Sequence, residues 1–195
     1  MTSAISLNPE KSEYHLQRGI LYKRLKDYNA AIDDFLLGID KHNHDQMKDP
    51  TLFSNFQRQI LLTYNEFAVH CYEKRFYDDA IVLLNKAIKL EKNEKGFYVN
   101  RGDCFLRKKE TKFALLDYEQ AHELDPNDEE ISIRIGKIYY KYGVEFYDEK
   151  NFRDAFKNFD LAVKYSPKTC KYYIARARTS FFLEVFIEIS HFCHC

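Results

Sequence analysis

Apolar residues recur along the chain at spacings of three, four and seven, in stretches separated by short polar pairs. That period gathers apolar side chains on one helical face and predicts amphipathic α-helices rather than strands. The helices come in a fixed order. Lys95 to Asp128 aligns with Leu61 to Glu94 at an offset of 34 residues, and the same template fits Ser12 to Asp45 and Gly136 to Thr169. A fifth copy begins at Cys170 without being completed.

The shared positions have a steric meaning. Position eight is always small (Gly19, Ala68, Gly102, Gly143, Ala177), as are position twenty (Ala31, Ala80, Ala114, Ala155) and position twenty-seven (Gly38, Ala87, Ala121, Ala162). Small residues at fixed points let two helices approach to the usual ~8–10 Å. Larger residues fill the space between them: His15, Tyr64, Tyr98, Tyr139 and Tyr173 at position four, and Phe35, Leu84, Tyr118 and Phe159 at position twenty-four. Each copy therefore reads as two antiparallel helices, with turns near Lys26-Asp27, Arg75-Phe76, Lys109-Glu110 and Lys150-Asn151. Pro126 and Pro167 should stop the second helix of their copies, because proline cannot continue it.

The expected fold is all-α, an α-solenoid of antiparallel helix pairs. The expected organisation is an N-terminal tail (1–11), then an array over about 12–180, then a divergent tail (185–195). The copies fall near 12–45, 52–94, 95–128 and 129–169, with a partial fifth at 170–184. Two insertions interrupt the period. Fifteen extra residues precede the second full copy: a polar loop, His42 to Pro50, and a stretch, Leu52 to Ile60, that should prolong the next helix from a start at Pro50-Thr51. Seven more, Glu129 to Ile135, amount to about two helical turns and extend a helix without rotating its buried face. Both are expected as protruding helix ends on one rim. The end of the chain, from Leu183, supplies neither the turn nor the alanines of a second helix. It is expected either to fold back as a cap or, the favoured reading, to reflect truncation or alternative splicing of a longer array.

Composition narrows the function classes. Lys plus Arg and Asp plus Glu are 30 each, a formal charge of zero, which argues against a nucleic-acid-binding module. Six Gly and four Pro are too few for Gly-rich phosphate loops or many tight turns. Five Cys without framework spacing suggest free thiols in a reducing, cytoplasmic setting. Neither a signal peptide nor an apolar run long enough to span a membrane is evident. Phosphate-loop, zinc-protease, nucleophile-elbow and dinucleotide motifs are all missing, and Gly136-Lys137 lacks the upstream glycine a phosphate cradle needs. His191, Cys193, His194 and Cys195 crowd four zinc-competent groups into five residues, too short a run to wrap one ion. His42 and His44 read as solvated loop residues, Cys71 as a core thiol and Cys104 as a near-core one. The expectation is a non-enzymatic protein without cofactor or metal.

Stacked helix pairs present an open concave face lined by first helices. Positions two, five, six, nine, twelve and thirteen should point into it. The candidate partner-binding residues are Asn65, Val69 and Tyr72 in the second copy, Asn100, Asp103 and Arg107 in the third, Lys137, Tyr140 and Lys141 in the fourth, and Lys171 and Arg178 in the fifth. In the first copy, Leu16 and Lys23 are among the residues at such positions. These faces mix apolar, aromatic and charged groups, as a groove for a peptide or helix does. Lys137, Lys141, Lys171 and Arg178 favour an acidic segment in the partner.

The 34-residue spacing, the three small positions, the aromatic before the first of them and the closing proline together resemble the tetratricopeptide repeat family, over roughly residues 12 to 180. The resemblance implies a superhelix that binds protein partners, with no catalytic residue to carry over. Arg58 to Tyr72, Leu83 to Ile88 and Glu94 to Phe105 resemble one mammalian member in particular, over about Phe35 to Ala177, which implies further repeats upstream. Chaperone-binding members grip a C-terminal carboxylate with a clamp over three successive repeats. Asn100, Lys137 and Lys141 match its last three positions, but Asn65 and Val69 stand where Lys and Asn are needed. The leading expectation is a scaffold binding a peptide or helix. A chaperone adaptor recognising an acidic C-terminus, or a purely structural segment of a longer repeat protein, are the alternatives.

Overall fold

The structure, a computed structural model, describes residues 11–44 and 49–192, with the side chains of 11–43 and 49–184. Among the described residues there are nine helices and no strand. They are α1 (Ser12–Arg24), α2 (Tyr28–His44), α3 (Pro50–Glu73), α4 (Tyr77–Leu90), α5 (Lys95–Arg107), α6 (Thr111–Leu124), α7 (Glu129–Asp148), α8 (Phe152–Tyr165) and α9 (Cys170–Phe192). The fold is the all-α helix-pair array that the small-residue positions predict. The chain divides into two compact units, Met1–Lys108 and Lys109–Cys195.

In the first unit α1 pairs with α2 and α3 with α4, and α5 packs on α4. Ala31 and Phe35 of α2 are fully buried with Leu16, Phe56 and Ile60. Ala80, Leu84 and Ala87 of α4 are fully buried with Ala68, Cys71, Phe97 and Cys104. Leu16, expected on the open face, is a core residue. In the second unit α7 pairs with α8, α9 packs on α8, and α6 contacts α7. Ala155 and Ala162 are fully buried and Phe159 nearly so.

The turns use one device. At Lys26 the N–H donates to the Lys23 carbonyl (2.9 Å) and that of Asp27 to Tyr22 (2.9 Å). Arg75 with Phe76, and Lys150 with Asn151, repeat this pair of bonds onto Tyr72 and Cys71, and onto Tyr147 and Phe146. This is the Schellman closure of a helix end. Its left-handed residue is Lys26 (φ 62°), Arg75 (68°) or Lys150 (61°), and Lys109 has φ 64°. Glycine is usual there, so these three lysines and one arginine carry backbone strain in order to reverse the chain.

Both insertions lengthen helices. Asp49 caps α3, its carboxylate accepting from the Thr51 N–H at 2.8 Å, and Pro50 opens the helix. Asp128 caps α7 through the Glu130 and Ile131 N–H groups at 3.0 and 3.3 Å. The extensions bury their own apolar face: Phe56 in α3, Ile131 and Ile135 in α7. His42 departs from expectation. It lies inside α2, is 4% exposed and stacks on Phe53 of the extension (6.1 Å). Helix α2 continues into the expected loop as far as His44, where that extension gives it something to pack against.

The C-terminus also differs. Elsewhere the helix breaks at position fifteen, but α9 runs through the equivalent Glu184 without a turn as far as Phe192. No fold-back occurs within the described residues. Tyr172 and Thr179 are buried at 1% and 0% against the preceding repeat, while Ala177, in register with the other small residues, is exposed.

Candidate functional site

Asn65, Val69 and Tyr72 are spaced by four and three residues, so they share one face of α3. Asn100, Asp103 and Arg107 do the same on α5. The first unit brings these two faces together. The Asn100 side-chain amide donates to Asn65 Oδ1 at 2.8 Å. Arg107 Nε donates to the Tyr72 hydroxyl at 2.8 Å, and its guanidinium lies over the Tyr72 ring at 5.7 Å. Tyr72 is held from the other side by an edge-on contact with Tyr77 (5.6 Å). These cross-helix bonds fix two polar side chains and a large ring that sequence spacing alone leaves free.

Between α3 and α5 opens a cleft of about 300 Å³. Val69 and Tyr72 form its apolar wall, Leu84 and Cys104 its buried base, and Asn100, Asp103 and Glu73 its polar edge. Cys104 is 1% exposed, so the near-core thiol is a fully buried one. Cys71 is buried in the same cluster, and burial pushes its thiol pKa up, with Asp79 adding to the effect. A protonated buried thiol is a poor nucleophile. The cleft can hold an apolar side chain, with the Glu73 carboxylate at its edge to accept a hydrogen bond.

The second unit gathers Tyr140 and Arg178 around a smaller cleft of about 150 Å³, with Val144, Tyr147, Phe159 and Ala175. Lys171 stands over the Tyr140 ring at 4.8 Å and the Tyr172 ring at 5.4 Å, while these two rings stack at 4.9 Å. Lys141 lies 3.7 Å from Glu145 and donates to the Thr111 hydroxyl at 3.4 Å. Lys137 and Arg178 are exposed. Nearby, burial and the bond from its hydroxyl to Glu119 (2.7 Å) push the Tyr139 phenol well above its ordinary value. Tyr139 is a structural anchor.

Two further residues at the expected open-face positions, Lys23 and Glu73, also shape these faces. Lys23 is bound to Gln59 (3.2 Å) and Glu66 (3.1 Å), which ties α1 to α3. Glu73 enters the first cleft. A group of three or more His, Cys, Asp or Glu side chains able to hold a metal is not found among the described residues. Cys193, His194 and Cys195 lie outside the described residues. No helix among them is long and apolar enough to cross a membrane.

Residues 12–40 match the tetratricopeptide repeat family. The human protein named Tetratricopeptide repeat protein 16 is 41% identical over 176 residues, which is 90% of this chain and 20% of that protein. The chain thus spans about a fifth of the length of this curated relative. The wheat (Triticum aestivum) Hsp70-Hsp90 organizing protein is 25% identical over 158 residues, 75% of this chain and 26% of that one. Among solved structures, MamA superposes with a TM-score of 0.51 at 20% identity, over 88% of this chain and 87% of that one, which supports the fold. With the recurring small positions buried at helix crossings and these similarities in hand, the chain belongs to the tetratricopeptide repeat family.

Proposed function

We propose that this chain is a non-enzymatic protein-interaction module that holds a peptide or helix of a partner against its first-helix faces. The observation that carries this reading is the cleft between α3 and α5, with its apolar base and fixed polar rim. An apolar side chain of the partner enters beside Val69 and Tyr72, and a donor beside it meets Glu73. In the second unit the exposed Lys137 and Arg178 suit an acidic stretch of the partner by charge complementarity. A structural role within a longer chain predicts that neither cleft is needed for capture.

The test is crosslinking and capture with the 195-residue chain, compared with Val69→Arg. Val69 is 40% exposed, so the variant should melt as the parent does while partner recovery falls at least tenfold. Undiminished recovery would overturn the reading.

The similarity to a protein named for organising Hsp70 and Hsp90 makes a chaperone-adaptor reading worth testing. The first clamp pair is absent, since Asn65 and Val69 occupy its positions and Asn65 accepts a bond from Asn100. A peptide ending Glu-Glu-Val-Asp is therefore expected to bind more weakly than about 1 mM, some 4 kcal/mol or less. Micromolar binding abolished by Lys137→Ala would establish the adaptor instead.

A further inference from the structure

Position seventeen opens the second helix of every full repeat. In three of them it is an aromatic whose ring packs on a first helix. Tyr28 stacks on Phe67 at 5.0 Å, Tyr77 meets Tyr72 edge-on at 5.6 Å, and Phe152 meets Tyr147 at 5.4 Å. The third repeat has Thr111 instead, a small side chain ending in a hydroxyl. What approaches that hydroxyl is a cation. Lys141 of α7 donates to it from Nζ at 3.4 Å, at the exposed surface. Three more cations, Arg107, Lys108 and Lys109, precede Thr111 by four, three and two residues. Lys109 is exposed in the turn, and the first turn of α6 carries no acidic residue. Other hydroxyls lack one of these features. Thr179 and Ser180 follow Arg176 and Arg178 but lie inside α9, and Thr179 is fully buried with its hydroxyl donating to the Ala175 carbonyl at 2.8 Å. Ser166, before Pro167, is 6% exposed.

We infer that Thr111 is a phosphorylation site for a protein kinase that selects basic residues before its target, and that the added phosphate takes Lys141 as its counter-ion. The step is phosphoryl transfer from a nucleoside triphosphate. A bond forms between Thr111 Oγ1 and the γ-phosphorus, and the bond from that phosphorus to the β–γ bridging oxygen breaks. The nucleoside diphosphate leaves, and the hydroxyl proton passes to the base of the kinase. The product carries a charge of about −1.5 to −2 near neutral pH and three strong acceptor oxygens. Its bond from the Lys141 ammonium is charge-assisted, roughly twice as strong as the neutral contact it replaces. The competing partner of Lys141 is Glu145 at 3.7 Å, with both side chains more than half exposed, and a pair of that kind is worth little. Lys141 is among the cations that suit an acidic segment of a partner. Phosphorylation withdraws it and adds negative charge beside it, so the modification weakens capture of an acidic segment by the second unit. That regulatory consequence rests on the groove reading above; the modification and its ion pair do not.

The 195-residue chain is treated with the catalytic subunit of cyclic-AMP-dependent protein kinase, which takes two cations, one further residue and then Ser or Thr. Mass spectrometry of the product is expected to place phosphate on Thr111. The initial rate should fall about tenfold or more in Lys108→Gln combined with Lys109→Gly. Glycine suits the φ of 64° at that turn, so this variant keeps its fold. Phosphorus NMR titration of the modified chain then reads the ion pair. Lys141→Ala should raise the second pKa of the phosphate by about half a unit or more, because a nearby ammonium favours the dianion. No phosphate on Thr111, a rate indifferent to the double variant, or a phosphate pKa indifferent to Lys141→Ala overturns the proposal. These readouts need no partner, so they stand or fall separately from the capture test with Val69→Arg.

Discussion

Gly143→Leu should destabilise the chain by about 3 kcal/mol, at the upper end of the cost of overpacking a filled core. On the scale for a domain of this size, that lowers the melting midpoint by roughly 6–12 °C. A Cβ built on Gly143 lies 2.6 Å from two atoms of the Phe159 ring. That ring is 2% exposed and also touches Tyr140, so it cannot step aside. Even alanine requires a shift, which offsets the ~1 kcal/mol that replacing glycine within a helix would otherwise gain. Urea unfolding followed by circular dichroism reads the effect. A midpoint unchanged by leucine would mean that α7 and α8 do not meet at this point.

The repeats also indicate how the damage is repaired. Where position eight is glycine, position twenty-four is an aromatic: Gly19 with Phe35, Gly143 with Phe159. In the second repeat position eight is Ala68, and position twenty-four is the smaller Leu84, both essentially unexposed in one cluster. The two positions share a fixed volume at close packing. Gly143→Ala with Phe159→Leu should therefore be more stable than the two single changes predict, with a coupling of about 1 kcal/mol or more in a double-mutant cycle. Strict additivity would show that the two sites relax independently.

This trade between positions explains what could be read from the chain and what could not. Helix pairs, turns and both helix extensions follow from period and small residues, because these reflect one crossing geometry repeated along the chain. The Schellman turns were located correctly at Lys26, Arg75 and Lys150, but their left-handed backbone was not legible. The usual glycine is replaced there by long cationic residues. His42 is buried against expectation because it stacks on Phe53, eleven residues on and in the helix extension of the next repeat. At the site, spacing put Asn65, Val69 and Tyr72 on one face and Asn100, Asp103 and Arg107 on another. Which atoms join them depends on rotamers and on neighbours 35 residues away, and periodicity carries no such information. The exposure of Ala177 was invisible for a related reason. Register alone places Ala177 among the buried small residues, and only the uninterrupted helix through Glu184 leaves it in solvent.

Arg18→Ala should cost about 3 kcal/mol, because it strands a carboxylate in the core of the first unit. Asp34 is 4% exposed. Arg18 grips it with two nitrogens: Nε donates to Oδ2 at 2.7 Å and a terminal nitrogen to Oδ1. His15 adds a longer contact at 3.4 Å. The side-chain bond to Asp34 raises the guanidinium pKa above its already high value, so the arginine keeps its charge. Removing one member of a buried ion pair exposes the full desolvation cost of the other, typically 3–5 kcal/mol. Arg18 retains some contact with water, at 20% side-chain exposure, which places the estimate at the low end. The equivalent positions of the second repeat are Phe67 and Leu83, and there Leu83 is buried in an apolar cluster with Phe67 packed against it. The same backbone crossing thus accommodates both an ionic and an apolar solution. Arg18→Phe combined with Asp34→Leu is expected to restore stability to within about 1 kcal/mol of the parent, or to exceed it, since apolar replacements of buried ion pairs are often neutral or stabilising. Thermal and urea unfolding of the single and double variants measure both effects. If Arg18→Ala is harmless, the carboxylate is not held by this arginine. If the double variant falls as far as the single, the pair supplies specificity that apolar packing cannot replace.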